Sequence, residues 1–94
     1  MKELKETTQL MISNDYKERF VAEYWQLKIR YEKLKSFNTR IEAAEYTKYQ
    51  INEIEEPKHD CPSDLLRLQQ QAMGEYLHLL ELRAIIEGID LNNY

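Results

Sequence analysis

DYKERFVAEYWQLKIRYEKLKSFNTR, the stretch from Asp15 to Arg40, carries apolar residues at alternating spacings of four and three. Its main stripe consists of Phe20, Tyr24, Leu27, Tyr31, Leu34, Asn38 and Ile41. A helix that packs lengthwise against another helix shows this period of about 3.5 residues. A second stripe, made of Val21, Trp25 and Ile29, lies beside the first. The stretch therefore predicts one long amphipathic helix, and its two stripes require two partners.

A second long helix is predicted from CPSDLLRLQQQAMGEYLHLLELRAIIEG, residues 61–88. Pro62 suits the first helical position, and Gly88 suits the left-handed cap at the end. One stripe consists of Leu65, Leu68, Ala72, Tyr76, Leu79, Arg83 and Ile86, and its neighbour of Leu66, Met73, Leu77, Leu80 and Ala84. Gly74 interrupts the helix at a cost of about 1 kcal/mol relative to Ala, which suggests close approach of another backbone.

These patterns predict an all-α fold, a long antiparallel helical hairpin with a short N-terminal helix, in one domain over residues 1–94. The predicted elements are a short docking helix at about 3–12, a long helix at about 15–38, a short helix and crossover at about 39–60, and a long helix at about 62–87. A break is expected near residues 37–39, because Asn38 interrupts the stripe and Thr39 with Glu42 has capping-box spacing. Ile51 and Ile54 are expected to pin the crossover to the hairpin.

Composition narrows the class of protein. With 94 residues, 2 Gly and 2 Pro, the chain has little room for a many-turned β fold. Its net charge of −4 argues against general nucleic-acid binding. No apolar run approaches the roughly 20 residues that span a bilayer, and a lone Cys61 excludes an intramolecular disulfide. A small core makes homo-oligomerisation plausible, and a cytoplasmic location is the simplest expectation.

Reactive residues are sparse. His59, Asp60 and Cys61 are adjacent, but a zinc site needs about four ligands, and the other histidine, His78, lies in mid-helix. The carboxylates of residues 53–56 are expected to form a solvated acidic loop. We therefore predict no metal ligand, no cofactor and no catalytic residue, and an enzyme acting on nucleotides is the least favoured class.

Charge is unevenly distributed along the chain. Residues 15–40 carry seven basic and four acidic side chains, a net +3, whereas residues 41–94 carry four basic and eleven acidic, a net −7. Tyrosines share the basic helix, so flat rings and cations could together hold the base and the phosphate of a nucleotide. The alternative is that these tyrosines are core residues whose hydroxyls reach the surface.

The second helix resembles that of the crAss-like-phage small helical-hairpin proteins, whose recurring pattern is LLxxQxxAMxxYxxxLxxR. The matching residues are Leu65, Leu66, Gln69, Ala72, Met73, Tyr76, Leu80 and Arg83. The first helix, at YWQLKIRYEKL, resembles theirs through spaced Leu and Lys. The same hairpin is similar in architecture to phage anti-CBASS and anti-Thoeris sponge proteins, which form oligomers, commonly hexamers, and hold nucleotide immune signals without cleaving them.

The resemblance implies a phage-encoded immune-evasion protein in the cytoplasm of the infected bacterial host. Its partner would be a cyclic dinucleotide, a cyclic trinucleotide or an ADP-ribose derivative, with no nucleic acid and no membrane. The sponges' tyrosine and lysine have their nearest equivalents in Tyr16 and Lys28. The predicted ligand-binding residues are Tyr16, Tyr24, Lys28, Arg30, Tyr31 and Arg83. The alternative is a helical structural or interaction protein that docks a host or phage protein through Val21, Trp25 and Ile29.

Overall fold

A computed structural model describes residues 3–92 of the chain. A 3-10 turn, Leu4–Thr7, runs directly into a short helix, α1 (Thr8–Met11), and two long helices follow, α2 (Tyr16–Thr47) and α3 (Ser63–Glu87). Over residues 3–92 these helices and their connecting loops make up the fold, without a strand. The all-α prediction is therefore confirmed for this part of the chain. No helix within it is long and apolar enough to cross a membrane.

Helix α2 begins with a side-chain cap. Asp15 is the N-cap residue, and its carboxylate accepts a hydrogen bond of 2.9 Å from the backbone N–H of Lys17. This bond satisfies one of the N–H groups that the first turn of a helix leaves without an intrahelical partner. Glu18 adds negative charge to the same turn, where it faces the positive end of the helix dipole.

The predicted break near residues 37–39 is wrong, because α2 continues without interruption to Thr47. Asn38 does not end the helix, since its side-chain amide donates to the carbonyl of Leu66 at 3.2 Å and to Gln70 at 2.9 Å. The hydroxyl of Thr39 bonds back to the carbonyl of Lys35 within the same helix. Neither side chain is therefore available to cap a new helix.

Helices α2 and α3 form an antiparallel hairpin. Tyr16 contacts Glu87 at one end of the pair, and Asn38 contacts Gln70 towards the other. The core between them and the segments beyond α3 consists of Phe20, Val21, Tyr24, Leu77, Leu80, Ala84 and Ile89. The main stripe of α2 thus faces α3. Of the two stripes on α3, the one containing Leu77 and Leu80 faces inward, and the other is left at the surface.

The second stripe of α2 is partly covered by the chain itself. Val21 is fully buried, and the indole of Trp25 donates a 2.7 Å hydrogen bond to the carbonyl of Leu91 in the C-terminal segment. The N-terminal helix docks on the same helix, where the Gln26 amide donates to the hydroxyl of Thr7 at 3.0 Å. The two ends of the chain thus cover part of this stripe, whereas Trp25 and Ile29 stay half-buried, so a protein partner on the stripe remains a prediction.

Three smaller predictions have mixed outcomes. Gly88 adopts a left-handed φ of 69°, and the N–H of Ile89 donates to the Ala84 carbonyl at 2.8 Å, as predicted for the cap.

Ile51 does not attach the crossover to the hairpin, because its side chain is fully exposed. In the same segment, the His59 ring lies edge-on to the ring of Phe37. The residue facing Gly74 is the Tyr31 ring, and not another backbone.

Candidate functional site

The six predicted ligand-binding residues fall into four places in the fold. Tyr31 lines a groove between α2 and α3, and Tyr16 and Arg83 meet at the open end of the hairpin. Tyr24 lies in the core. Lys28 and Arg30 lie on the surface of α2. The structure therefore does not gather the six into one site within a single chain.

The groove has a volume of about 870 Å³ and lies between the middle of α2 and the first half of α3. Its walls include an aromatic ring, two cations, two carboxylates and a histidine, from Tyr31, Lys35, Arg67, Glu42, Glu75 and His78. A concave site with a few convergent polar groups is the usual form of a small-molecule binding site. Among the predicted residues, only Tyr31 belongs to its lining.

Gly74 shapes the floor of the groove. A methyl group added at Gly74 would lie 3.2 Å from Cε1 of Tyr31, closer than ordinary van der Waals contact. The glycine therefore lets the Tyr31 ring lie close to the backbone of α3 while the residue lines the groove. This contact accounts for a glycine in the interior of a helix, where it costs about 1 kcal/mol relative to Ala.

Asn38 lines the groove and carries an unpaired acceptor. The residue is 6% exposed, and its amide N–H group has two partners on α3. Its carbonyl oxygen, Oδ1, has none, and it is the one buried side-chain nitrogen or oxygen in residues 3–92 that lacks a hydrogen bond. A buried acceptor without a hydrogen bond lowers the stability of the fold by on the order of 1–3 kcal/mol. A buried, unpaired polar atom beside a cavity indicates a place where a ligand donor would be favourable.

The cations near the groove are differently engaged. Lys35 is exposed, whereas Arg67 lies 3.9 Å from the carboxylate of Glu45. Lys28 lies one heptad before Lys35, about 10 Å along the same helix face, and is paired with Glu32 at 3.8 Å. Surface pairs of this kind are worth about 0–1 kcal/mol, so an anionic ligand can displace them. Arg30 is exposed and has no ion pair with any residue of 3–92.

At the open end, Tyr16 and Arg83 contact each other although they are 67 positions apart. The Arg83 guanidinium donates to the Tyr16 hydroxyl, pairs with Glu87 at 3.0 Å, and lies 5.0 Å from the centroid of the Phe20 ring. The hydrogen bond to Glu87 raises the pKa of Arg83 above its usual value. The Tyr16 hydroxyl in turn donates to Glu87 at 3.1 Å.

Two further tyrosines differ in their surroundings. Tyr24 is buried against Trp25, with ring centroids 5.3 Å apart, and burial is the main cause of its raised pKa. The Tyr76 hydroxyl donates to the carboxylate of Glu23, which raises the pKa of Tyr76. The expectation that tyrosines serve the core therefore holds for Tyr24, whereas Tyr16 and Tyr76 use their hydroxyls to connect the two helices.

Sequence reasoning missed three groove residues: Lys35, Asn38 and Arg67. Asn38 gave a signal, since a polar residue at a stripe position faces the partner helix, but the spacing of Thr39 and Glu42 favoured a break. Lys35 and Arg67 lie 32 positions apart, and nothing in the sequence pairs them before the register of the hairpin is known. No cluster of three or more metal-ligating side chains occurs among the residues described, 3–92.

Comparison with known families gives one match. The family model described as Sequestin matches residues 14–86, which is most of the chain and includes α2 and all but the last residue of α3. The chain belongs to the Sequestin family. No curated protein and no solved structure matches it.

Proposed function

We propose that this member of the Sequestin family binds and sequesters a nucleotide second messenger, a cyclic oligonucleotide or a cyclic ADP-ribose-type signal, without cleaving it. The name of the family denotes sequestration, which agrees with the resemblance to sponge proteins. The observation that carries the proposal is the groove, where an aromatic ring and an unpaired carbonyl share one cavity with two cations and two carboxylates. Capture of this kind is stoichiometric and needs no catalytic residue.

Each group in the groove has a distinct role towards such a ligand. The exposed face of Tyr31 stacks on a nucleobase, a contact worth about 1–3 kcal/mol. Lys35 and Arg67 hold phosphate oxygens, with Lys28 further along the same face of α2. After a small rotation of the Asn38 side chain, Oδ1 accepts a hydrogen bond from an exocyclic amine of the base. The rigid helices preform these positions, which lowers the entropy cost of binding.

Tyr16, Arg30 and Arg83 supply further contacts in a homo-oligomer, for which the sponge resemblance implies a hexamer. Arg83 would release Glu87 and bind a ligand phosphate instead. Tyr16 would keep its hydrogen bond to the Arg83 guanidinium and move with it. Tyr24 supports the site from the core. In this proposal the protein is phage-encoded, acts in the cytoplasm of the infected bacterium, and blocks CBASS- or Thoeris-type defence by removing the signal.

The test is thermal denaturation and calorimetric titration with a panel of cyclic dinucleotides, cyclic trinucleotides and cyclic ADP-ribose isomers. A ligand that binds the folded state raises its stability in proportion to its excess over Kd. Lys35→Gln should weaken binding about ten- to a hundred-fold, the equivalent of one charge-assisted phosphate contact. Lys33→Gln is the matched control, because it removes the same charge two residues away on the opposite face of α2.

Two outcomes would overturn the proposal. One is that no member of the panel stabilises the wild-type protein. The other is that a nucleotide binds but Lys35→Gln and Lys33→Gln weaken it equally, since the lysines would then contribute only through net charge. Binding that falls with Lys35→Gln alone, and falls further with added salt, supports the groove.

A further inference from the structure

The surface of α3 that α2 leaves uncovered is apolar except at Glu75. Its members are Leu65, Leu68, Ala72, Glu75, Leu79, Leu82 and Ile86, spaced by three and four residues in turn, and we call this set the outer stripe. The large apolar side chains of the stripe are 44–81% exposed. Glu75 fills the one gap in the heptad pattern. An exposed seam with this spacing is the contact surface of a helix that pairs with another helix.

We propose that the outer stripe is the contact surface between two copies of this chain, which meet through antiparallel α3 helices. The inference rests on the proposed function only in that a homo-oligomer was already expected there. The interface is assigned from exposure and spacing, and not from any ligand.

The spacing of the stripe suits a second copy. In an antiparallel pair, first and fourth heptad positions face each other, which sets Leu68 opposite Leu79 of the second copy and Leu65 opposite its Leu82. The same register sets Ala72 opposite Glu75 of the second copy. The small alanine leaves room for the glutamate to bend towards solvent. Gln71 already holds the Glu75 carboxylate to one side with a 3.3 Å hydrogen bond.

A parallel arrangement in register is disfavoured by the same residues. It would place Glu75 directly against Glu75 of the second copy in the middle of an apolar seam. Two like charges with little access to water repel each other and lose solvation. The single acidic residue of the outer stripe therefore selects the orientation of the pair, as polar residues at core positions do in coiled coils.

The size of the face fits a weak to moderate dimer. Residues 65–86 span about 32 Å of helix, and a helix with its side chains is about 10 Å wide. The resulting patch of about 320 Å² lies in the range of the largest apolar patches on monomers, which are often functional. Two such faces contribute about 640 Å² of apolar surface. The polar side chains along both margins supply the remainder of the roughly 1,200 Å² at which specific interfaces begin.

The outer stripe also borders the groove, because Glu75 and Leu79 belong to both. A second copy seated on the stripe would add a wall to the open side of the groove. The groove of one chain is thus completed by its neighbour, which would lower the exposure of a bound ligand. Ligand affinity should therefore fall when the pair is separated.

The experiment measures mass by light scattering at micromolar concentration, without nucleotide. The wild-type protein should have at least twice the monomer mass, and Leu68→Glu and Leu82→Glu should each give monomers whose helical circular dichroism is unchanged. Ile51→Glu is the matched control, because Ile51 is fully exposed in the crossover and lies outside the stripe. Two variants are used so that a folding defect in one leaves the other informative.

Orientation is tested by cross-linking in a Cys61→Ser background. A mixture of Leu68→Cys and Leu79→Cys chains should form a mixed disulfide, whereas Leu68→Cys alone should not cross-link to itself. A monomeric wild type, or glutamate variants that keep the wild-type mass, would overturn the proposed interface. The outer stripe would then be the contact surface for a different protein. Self-cross-linking of Leu68→Cys would overturn the antiparallel orientation. Because no nucleotide is present, this experiment is independent of the nucleotide titrations. The protein can dimerise without binding a nucleotide, and it can bind a nucleotide without dimerising.

Discussion

The indole N–H of Trp25 donates a 2.7 Å hydrogen bond to the carbonyl oxygen of Leu91, 66 positions later in the chain. This bond fastens the segment that follows Gly88 across the second stripe of α2. Ile89, at the start of the same segment, is 7% exposed and belongs to the core. The C-terminal segment therefore packs on the second stripe of α2, for which the sequence pattern predicted a separate partner.

Trp25→Phe should keep the apolar contact and remove the hydrogen bond. We expect a loss of about 1 kcal/mol, the usual net worth of one hydrogen bond, measured by urea denaturation. A chain that ends at Asp90 should lose more than this, since it lacks both the acceptor and the Leu91 side chain that packs against the core. Combining the two changes should cost little more than the truncation alone, because both act on one contact. Fully additive losses would show that the bond contributes nothing.

His59 should titrate above the ordinary histidine range. The carbonyl of Cys61, 2.6 Å from Nδ1, and then the side chain of Glu56 raise the pKa of His59 above 6.5. A raised folded-state pKa means that its contribution to stability is complete below pH 6.5 and is lost as the pH rises through the folded-state pKa. NMR titration of the ring should give a midpoint above 6.5. The stability difference between the wild type and His59→Gln should shrink from pH 6 to pH 8, and a midpoint at or below 6.5 would contradict the contact.

Gly74→Ala tests the floor of the groove. Alanine should gain up to about 1 kcal/mol from helix propensity, but its methyl group would lie 3.2 Å from the Tyr31 ring. Because that ring borders open space, it can move outward by a few tenths of an ångström. We therefore expect unchanged or slightly raised stability and weaker nucleotide binding. Gln69→Ala, on an exposed part of α3, should leave binding unchanged. A marked loss of stability in Gly74→Ala would mean that the ring cannot yield.

Periodicity alone was enough to predict both long helices and the hairpin. The apolar residues in 20–41 and in 66–84 recur at helical spacing because one face of each helix is buried against the other. It could not predict which stripe of α3 stays exposed, since both are apolar and only the docked structure separates them. The covering of Trp25 was missed for a similar reason: short terminal segments carry too few residues to show a period. The meeting of Tyr16 with Arg83 depends on the register of the hairpin, which no local pattern encodes.

At Asn38, one substitution should change stability and nucleotide binding in opposite directions. Asn38 occupies a core position of α2, its N–H group has partners on α3, and its Oδ1 has none. Asn38→Leu replaces it with an apolar side chain of similar length, which removes the unpaired acceptor and fills the seam. The Leu66 carbonyl keeps its place in the α3 backbone, and Gln70, being half-buried, can turn its amide to water.

We expect Asn38→Leu to stabilise the hairpin by about 1 kcal/mol, because removing both the donor and the unmet acceptor costs less than keeping an unpaired one. For a domain of this size, that gain raises Tm by about 4–8 °C. Asn38→Ala is the comparison, since it removes the same amide but leaves a cavity, and should destabilise. If Oδ1 serves the ligand, Asn38→Leu should also weaken nucleotide binding while Tm rises. A variant that is both less stable and equally able to bind would mean that the Asn38 amide only maintains the register of the two helices.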